Sequence, residues 1–166
     1  MITQVLAMPR VCLEMPDLIR KRCANKRWLL ISISSTREEV PSMEELADLK
    51  RYGCEGFAVL WFSDLTPEMF DDECRRQYPN LVLFSEQDAR QILDFVIGVN
   101  MRIALGNFTL VVHCDAGISR SGAVADFLCD YLGLDRERFN KENNIYPNTH
   151  VKNILRRVAG MTPRFH

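Results

Sequence analysis

Phe108-Thr109-Leu110-Val111-Val112 is a short apolar run rich in β-branched residues, which suits a strand buried on both faces. It leads straight into His113-Cys114-Asp115-Ala116-Gly117-Ile118-Ser119-Arg120-Ser121-Gly122, and Ser121 to about Leu132 then reads as a helix. Strand, tight loop and helix in direct succession define one unit of a helix-covered sheet. The rest of the chain repeats that unit. Ile2 to Met8, Trp28 to Ser34 and Phe57 to Phe62 are further apolar strands. Between them lie candidate helices over Asp17 to Ala24, Ser42 to Gly53, Thr66 to Tyr78, and Ser85 onward through Met101 to Leu105, ending at Gly106. After the cysteine loop come helices over Ser121–Leu132, Asp135–Lys141 and Asn148–Ala159. The start signals are specific: Ser42 with Glu45 is a capping box, Ser85 with Asp88 three residues on starts the longer helix, and Thr66-Pro67 reads as N-cap and first helical residue. Alternation of this kind predicts an α/β fold, a central mostly parallel sheet flanked by helices on both faces. The 166 residues suffice for a single domain, 1–166, with a substantial core.

The loop carries chemistry. Five residues separate Cys114 from Arg120, enough for Asp115, Ala116, Gly117, Ile118 and Ser119 to turn their backbone N–H groups into one concavity at a helix N-terminus, an anion site. Arg120 adds a planar fork of donors matched to phosphate oxygens. The same dipoles and charge favour thiolate over thiol at Cys114. Gly117 allows close backbone approach or a dihedral that a Cβ forbids. Ser121 can donate its hydroxyl proton toward the sulfur. His113 is expected to orient the backbone of Cys114 and not to act as a base, since an ionised thiol needs none. Asp115 is expected to face away from the cup, where a carboxylate would repel phosphate.

His113-Cys114-Asp115-Ala116-Gly117-Ile118-Ser119-Arg120-Ser121 resembles the His-Cys-x5-Arg-Ser/Thr loop of the cysteine-based protein tyrosine phosphatases, most nearly the small dual-specificity type. Such a combination should arise by chance in roughly one chain of this length in ten thousand. The likeness extends from about Ser85 to Arg157 and takes in Ile145-Tyr146-Pro147-Asn148 ahead of the last helix; before Trp61 it is weak. The resemblance implies a parallel sheet with the loop at its carboxyl edge. It implies hydrolysis of phosphotyrosine, and of phosphoserine or phosphothreonine, through a phospho-cysteine with no metal or cofactor. It also implies an aspartic general acid on a second loop. Asp64, just beyond the strand Phe57 to Phe62 and three residues after Trp61, is the first choice. Asp71 and Asp72, in the insert Thr66 to Phe84, are the alternatives, because the 50 residues from Asp64 to Cys114 exceed the spacing usual in that group. Asn148 is expected to cap the last helix near the loop.

Composition narrows the partners. A net charge of −1 gives no pull toward nucleic acid or an anionic membrane, and no apolar run reaches the length of a bilayer span. Met1-Ile2-Thr3-Gln4 does not begin a secretory signal, so a cytoplasmic location and reduced cysteines are expected for Cys12, Cys23, Cys54, Cys74, Cys114 and Cys129. Their spacing fits neither a zinc site nor a redox pair. Cys12, Cys54 and Cys129 lie in or beside apolar runs and should pack in the core. The basic run Arg20, Lys21, Arg22, Lys26 and Arg27 reads as a solvated face or as a positive rim for a phosphorylated substrate. The loop has no lysine among its five residues. In the family it resembles, members acting on inositol phosphates tend to carry lysines there, so the resemblance implies a phosphorylated protein or peptide over an inositol phosphate, with an RNA 5′ end as a further alternative substrate. A module that binds phosphorylated residues without turnover is the remaining reading.

Overall fold

The computed structural model describes residues 1–102 and 106–161. Four strands, β1 (Ile2–Pro9), β2 (Trp28–Ser34), β3 (Cys54–Trp61) and β4 (Phe108–Cys114), form one sheet in the order β1-β4-β2-β3, every pair parallel. Helices α1 (Pro16–Arg22) and α2 (Met43–Asp48) lie in the first half of the chain. They are followed by α3 (Asp72–Gln77), α4 (Glu86–Asn100), α5 (Arg120–Tyr131), α6 (Arg136–Glu142) and α7 (Thr149–Val158). No helix among the described residues is long and apolar enough to cross a membrane.

The strands alternate between two cores. Leu29, Ile31 and Ile33 of β2, with Leu110, Val112 and Cys114 of β4, face the core shared with α4, α5, α6 and α7. Trp28 and Leu30, with Val111, face the second core, built with Ile19 of α1, Leu46 of α2 and Cys12. Both faces of the two central strands are therefore dry, which is why their sequences are near-continuously apolar. Cys12, Cys54 and Cys129 are buried, as core packing requires.

Local signals set the helix ends. Ser42 and Ser85 cap α2 and α4, and Asp88 completes the capping box at Ser85. Gly53, at φ 99°, ends the 3-10 turn Leu49–Tyr52 that follows α2. The helix expected over Thr66 to Tyr78 is different. Met69 and Phe70 both donate to the carbonyl of Thr66, which closes a single turn. Helix then restarts at Asp72, with Asp71 accepting from the N–H of Cys74 as the true N-cap. Helix α4 stops at Asn100; the expected continuation to Leu105 falls on residues 103–105, outside the described residues. The basic run around α1 leads into the amino end of β2, the sheet edge opposite the Cys114 loop, so it forms no rim around that loop.

A charge network ties α5, α6 and α7 together. Asp126 takes Arg136 and Lys152, and Asp130 takes Arg136 and Arg156. Burial would raise the Asp126 carboxyl, but hydrogen bonds and charge from Lys152 and Arg136 outweigh it and hold the group low. A carboxyl lowered on folding contributes stability above its ordinary value and loses it as pH falls through the folded value. Asp126→Asn should therefore cost about 1–2 kcal/mol at pH 7, less than a wholly buried pair would, because solvent still reaches both partners. The difference should shrink toward pH 3. Urea midpoints at the two pH values test this; an equal gap at both would refute it.

Candidate active site

The carboxyl ends of β2, β3 and β4 meet at one edge, and each contributes to the site. β4 ends in Cys114, and α5 begins at Arg120. Gly117 makes the short loop between them possible. Its φ is +75°, and a Cβ there would lie 2.4 Å from the Met8 carbonyl carbon. Both demands, a left-handed dihedral and close backbone approach, exclude a side chain. Ser119 stands at the N-cap of α5 and makes no capping hydrogen bond; its hydroxyl is turned to Asp64 and donates to Oδ1 at 2.8 Å. The amides of the first turn are thereby left for an anion.

Cys114 is 2 % exposed, with its sulfur 3.1 Å from Ser121 Oγ. Burial pushes Cys12 up to about 12 and Cys54 up to about 11. Burial is also the largest influence on Cys114 and would raise it. The Ser121 hydroxyl, the backbone N–H groups of Ser121 and Gly117, and the Arg120 charge together outweigh it, and the thiol is lowered. The same loop therefore supplies an accessible route to thiolate that the other buried cysteines lack.

Arg120 is 5 % exposed. Nη1 donates to Ser35 Oγ at 2.8 Å and to the Phe62 carbonyl at 3.0 Å, and Nη2 donates to Asp115 Oδ2 at 2.9 Å. A guanidinium has five N–H groups. Two remain, Nε–H and the second N–H of Nη2, and they lie parallel on one edge of the plane. Nε is buried and has no hydrogen-bond partner among the described residues. A buried donor without a partner is costly, and an oxyanion with two oxygens spaced as in phosphate satisfies that edge.

His113 lies on the far face of β4. Its Nε2 is 2.6 Å from Ser32 Oγ, and its Nδ1 is 3.4 Å from the Cys114 carbonyl oxygen. A carbonyl only accepts, so Nδ1 carries the proton and Nε2 accepts from Ser32. Burial, the largest influence, pushes His113 down to about 4, which keeps it neutral at pH 7. It touches the backbone of Cys114 and not the sulfur, the geometry expected of an orienting group.

Asp64 follows β3 and reaches the loop from the side. Its Oδ1 accepts from Ser119 Oγ and from Asn148 Nδ2, each at 2.8 Å. Asn148 also caps α7 through Oδ1 to the N–H of Val151, and its own N–H donates to the Ser119 carbonyl. One asparagine thus joins the last helix, the cysteine loop and the Asp64 loop. Asp71 is occupied in capping α3, where Asp72 opens the first turn.

Asp115 sits at the outer end of the Arg120 fork. Its side chain accepts from Arg120, and from Ser35 Oγ at 2.9 Å, a pairing that the sequence reading did not include. Burial alone would raise this carboxyl; the Ser35 and Arg120 hydrogen bonds and the Arg120 charge hold it low. Ser35 and the Phe62 carbonyl were not foreseen at all. The available signal was position, since Ser35 directly follows the apolar run Trp28 to Ser34 and Phe62 closes the run Phe57 to Phe62.

The parallel sheet, its two helical layers and the cysteine loop at its carboxyl edge are the arrangement that the phosphatase resemblance implies. The likeness to cysteine-based protein tyrosine phosphatases thus covers fold class as well as motif. No protein-family model matches the chain, and neither does any curated protein. Among solved structures the chain is similar to Tk-PTP in the active form, at 18% identity over 92% of this chain and 76% of that one, with a TM-score of 0.44. It is also similar to PTPMT1 in complex with PI(5)P, at 17% identity over 95% of this chain and 93% of that one, with a TM-score of 0.46. A further structure of PTPMT1 gives 17% identity over 95% and 92%, with a TM-score of 0.47.

Proposed function

We propose that the chain is a cysteine-dependent phosphomonoesterase of the protein tyrosine phosphatase type, acting on a phosphorylated protein side chain. The observation that carries this reading is one cup holding both a lowered thiol and a buried arginine with an open edge of two donors. In the first step Cys114 Sγ attacks phosphorus and the bond from phosphorus to the leaving oxygen breaks. Asp64 passes its proton to that oxygen. The loop amides and the Arg120 edge balance charge on the equatorial oxygens, where a loose phosphoryl transition state needs it. In the second step water attacks phosphorus, Asp64 takes a proton from it, and the sulfur leaves as a thiolate held by Ser121 Oγ.

Two features support a side-chain phosphate over a polyphosphate. The carboxylates of Asp115 and Asp64 stand beside the loop, and no basic residue lies among its five positions. Ile118 is 42% exposed and Tyr146 is 84% exposed, and the Tyr146 N–H donates to the Ile118 carbonyl. An apolar and an aromatic residue therefore flank the mouth, which suits an aryl phosphate. The test is a panel of phosphotyrosine, phosphoserine and phosphothreonine peptides, an inositol phosphate and a 5′-phosphorylated RNA, with acid quench and peptide mapping. The expected result is fastest turnover of phosphotyrosine with acid-trapped phosphate on Cys114. A label on any other residue, or turnover of the inositol phosphate or RNA alone, would overturn it.

A further inference from the structure

We propose that Asp115 and Ser35 together are the positioning residues of Arg120, so that the cysteine loop carries its own arginine anchor at its first variable position. This rests on the phosphatase reading above. Nη1 of Arg120 donates to Ser35 Oγ, Nη2 donates to Asp115 Oδ2, and the Ser35 hydroxyl donates to the same Oδ2. Neither a guanidinium nor its N–H groups can accept, so the single hydroxyl proton of Ser35 goes to the carboxylate. The three bonds close a ring around the tip of the fork. The Phe62 carbonyl takes the second N–H of Nη1.

The ring acts on the edge that remains. A planar fork held at its tip by two acceptors, with a third acceptor beside it, is fixed in both position and plane. Among the described residues, the donors of Arg120 left to turn toward a ligand are Nε–H and the outer N–H of Nη2. An arginine so held meets phosphate without first losing rotamer freedom, which is the advantage of preorganisation. The carboxylate of Asp115 is at the end of the fork away from that edge, and its side chain is 49% exposed, against 6% for Arg120. It therefore grips the arginine without standing where the phosphate oxygens sit. The backbone supports the arrangement, since the Asp115 carbonyl accepts from the N–H of Arg10, fixing the first residue of the loop from the β1 side.

The test compares wild type, Asp115→Ala, Asp115→Asn, Ser35→Ala and the double alanine variant. Vanadate affinity is measured by calorimetry, with kcat on an aryl phosphate and urea midpoints alongside. Asp115→Ala should weaken vanadate and lower kcat by about tenfold each, the effect of one charge-assisted hydrogen bond, in a protein that the urea transition shows to be folded. Asp115→Asn, which keeps an acceptor oxygen, should recover most of both. The double variant should lose little more than either single one, because the pair acts as one ring. Unchanged vanadate affinity in Asp115→Ala would overturn the proposal. Tighter binding would also overturn it, by making the carboxylate a competitor for Arg120, and so would an Asn variant no better than Ala. Vanadate binding needs no turnover, so a protein that shows this order of affinities but hydrolyses nothing keeps the anchor and loses the activity.

Discussion

Cys114→Ser is expected to abolish turnover, by on the order of 10⁴-fold or more, while leaving phosphopeptide binding intact. The substitution exchanges the one atom on which the chemistry depends and little else. The sulfur is buried against Ser121, and a serine oxygen fits the same space. The loop amides and Arg120 still bind the dianion. What is lost is the anion at neutral pH, because an alcohol is far weaker as an acid than a thiol already lowered by its surroundings. A neutral hydroxyl would need a base, and His113 cannot serve, because it lies behind the strand with Nε2 taken by Ser32 and Nδ1 directed to a carbonyl. The sign of the pH dependence follows. Activity requires the thiolate, so the rate climbs as pH rises through the lowered value and is fully developed below the usual range of a cysteine. Iodoacetate should alkylate Cys114 ahead of Cys12 and Cys54, which burial raises. A serine variant that keeps a tenth of the wild-type rate would remove the covalent mechanism. An inactive wild type that binds phosphopeptide as tightly as its serine variant would leave a binding module.

How much of this was legible beforehand depended on how local the signal is. Trp28 to Ser34 could be read because seven successive buried positions leave no polar face to hide. Ser42, Ser85 and Asn148 could be read because a cap is a bond between near neighbours in sequence. Thr66-Pro67 misled for the same reason. Its turn signal is real, but Asp71, followed by Asp72 and Glu73, is a second start signal closer to the helical residues, and the later one holds the helix. The loop Cys114 to Ser121 announced itself because all its parts are contiguous. Ser35 did not, because its role depends on β2 lying beside β4, a fact of the sheet order and not of any nearby residue. The pairing of Asp115 with Arg120 went unseen because its charge was weighed against phosphate and not against Arg120.

Asp64→Asn should slow hydrolysis of an ester with a poor leaving group by about 10²–10⁴-fold, and that of an activated aryl ester far less. The difference arises because a proton is needed only where the departing oxygen cannot carry its own charge. The neighbours of Asp64 define how it serves. Oδ1 accepts two hydrogen bonds, from Ser119 and Asn148, so in the proposed mechanism Oδ2 is the oxygen that carries and delivers the proton. An asparagine at position 64 can preserve the acceptor at Oδ1, so its loss is one of acid chemistry and not of loop placement. Asn148→Ala removes one donor to Oδ1 and the tie to the Leu65 carbonyl, and should lower kcat on the same poor leaving group without affecting the activated ester. Turnover of the poor leaving group should be lost in Asp64→Asn and persist in Asp72→Asn. The long separation of Asp64 from Cys114 is no obstacle, since the insert Thr66 to Phe84 folds as its own turn and helix α3 and both ends of it return to the sheet edge, with Ser63 N–H donating to the Val82 carbonyl at 2.7 Å. Loss of poor-leaving-group turnover in Asp72→Asn with retention in Asp64→Asn would move the acid into that insert and require α3 to swing over the loop.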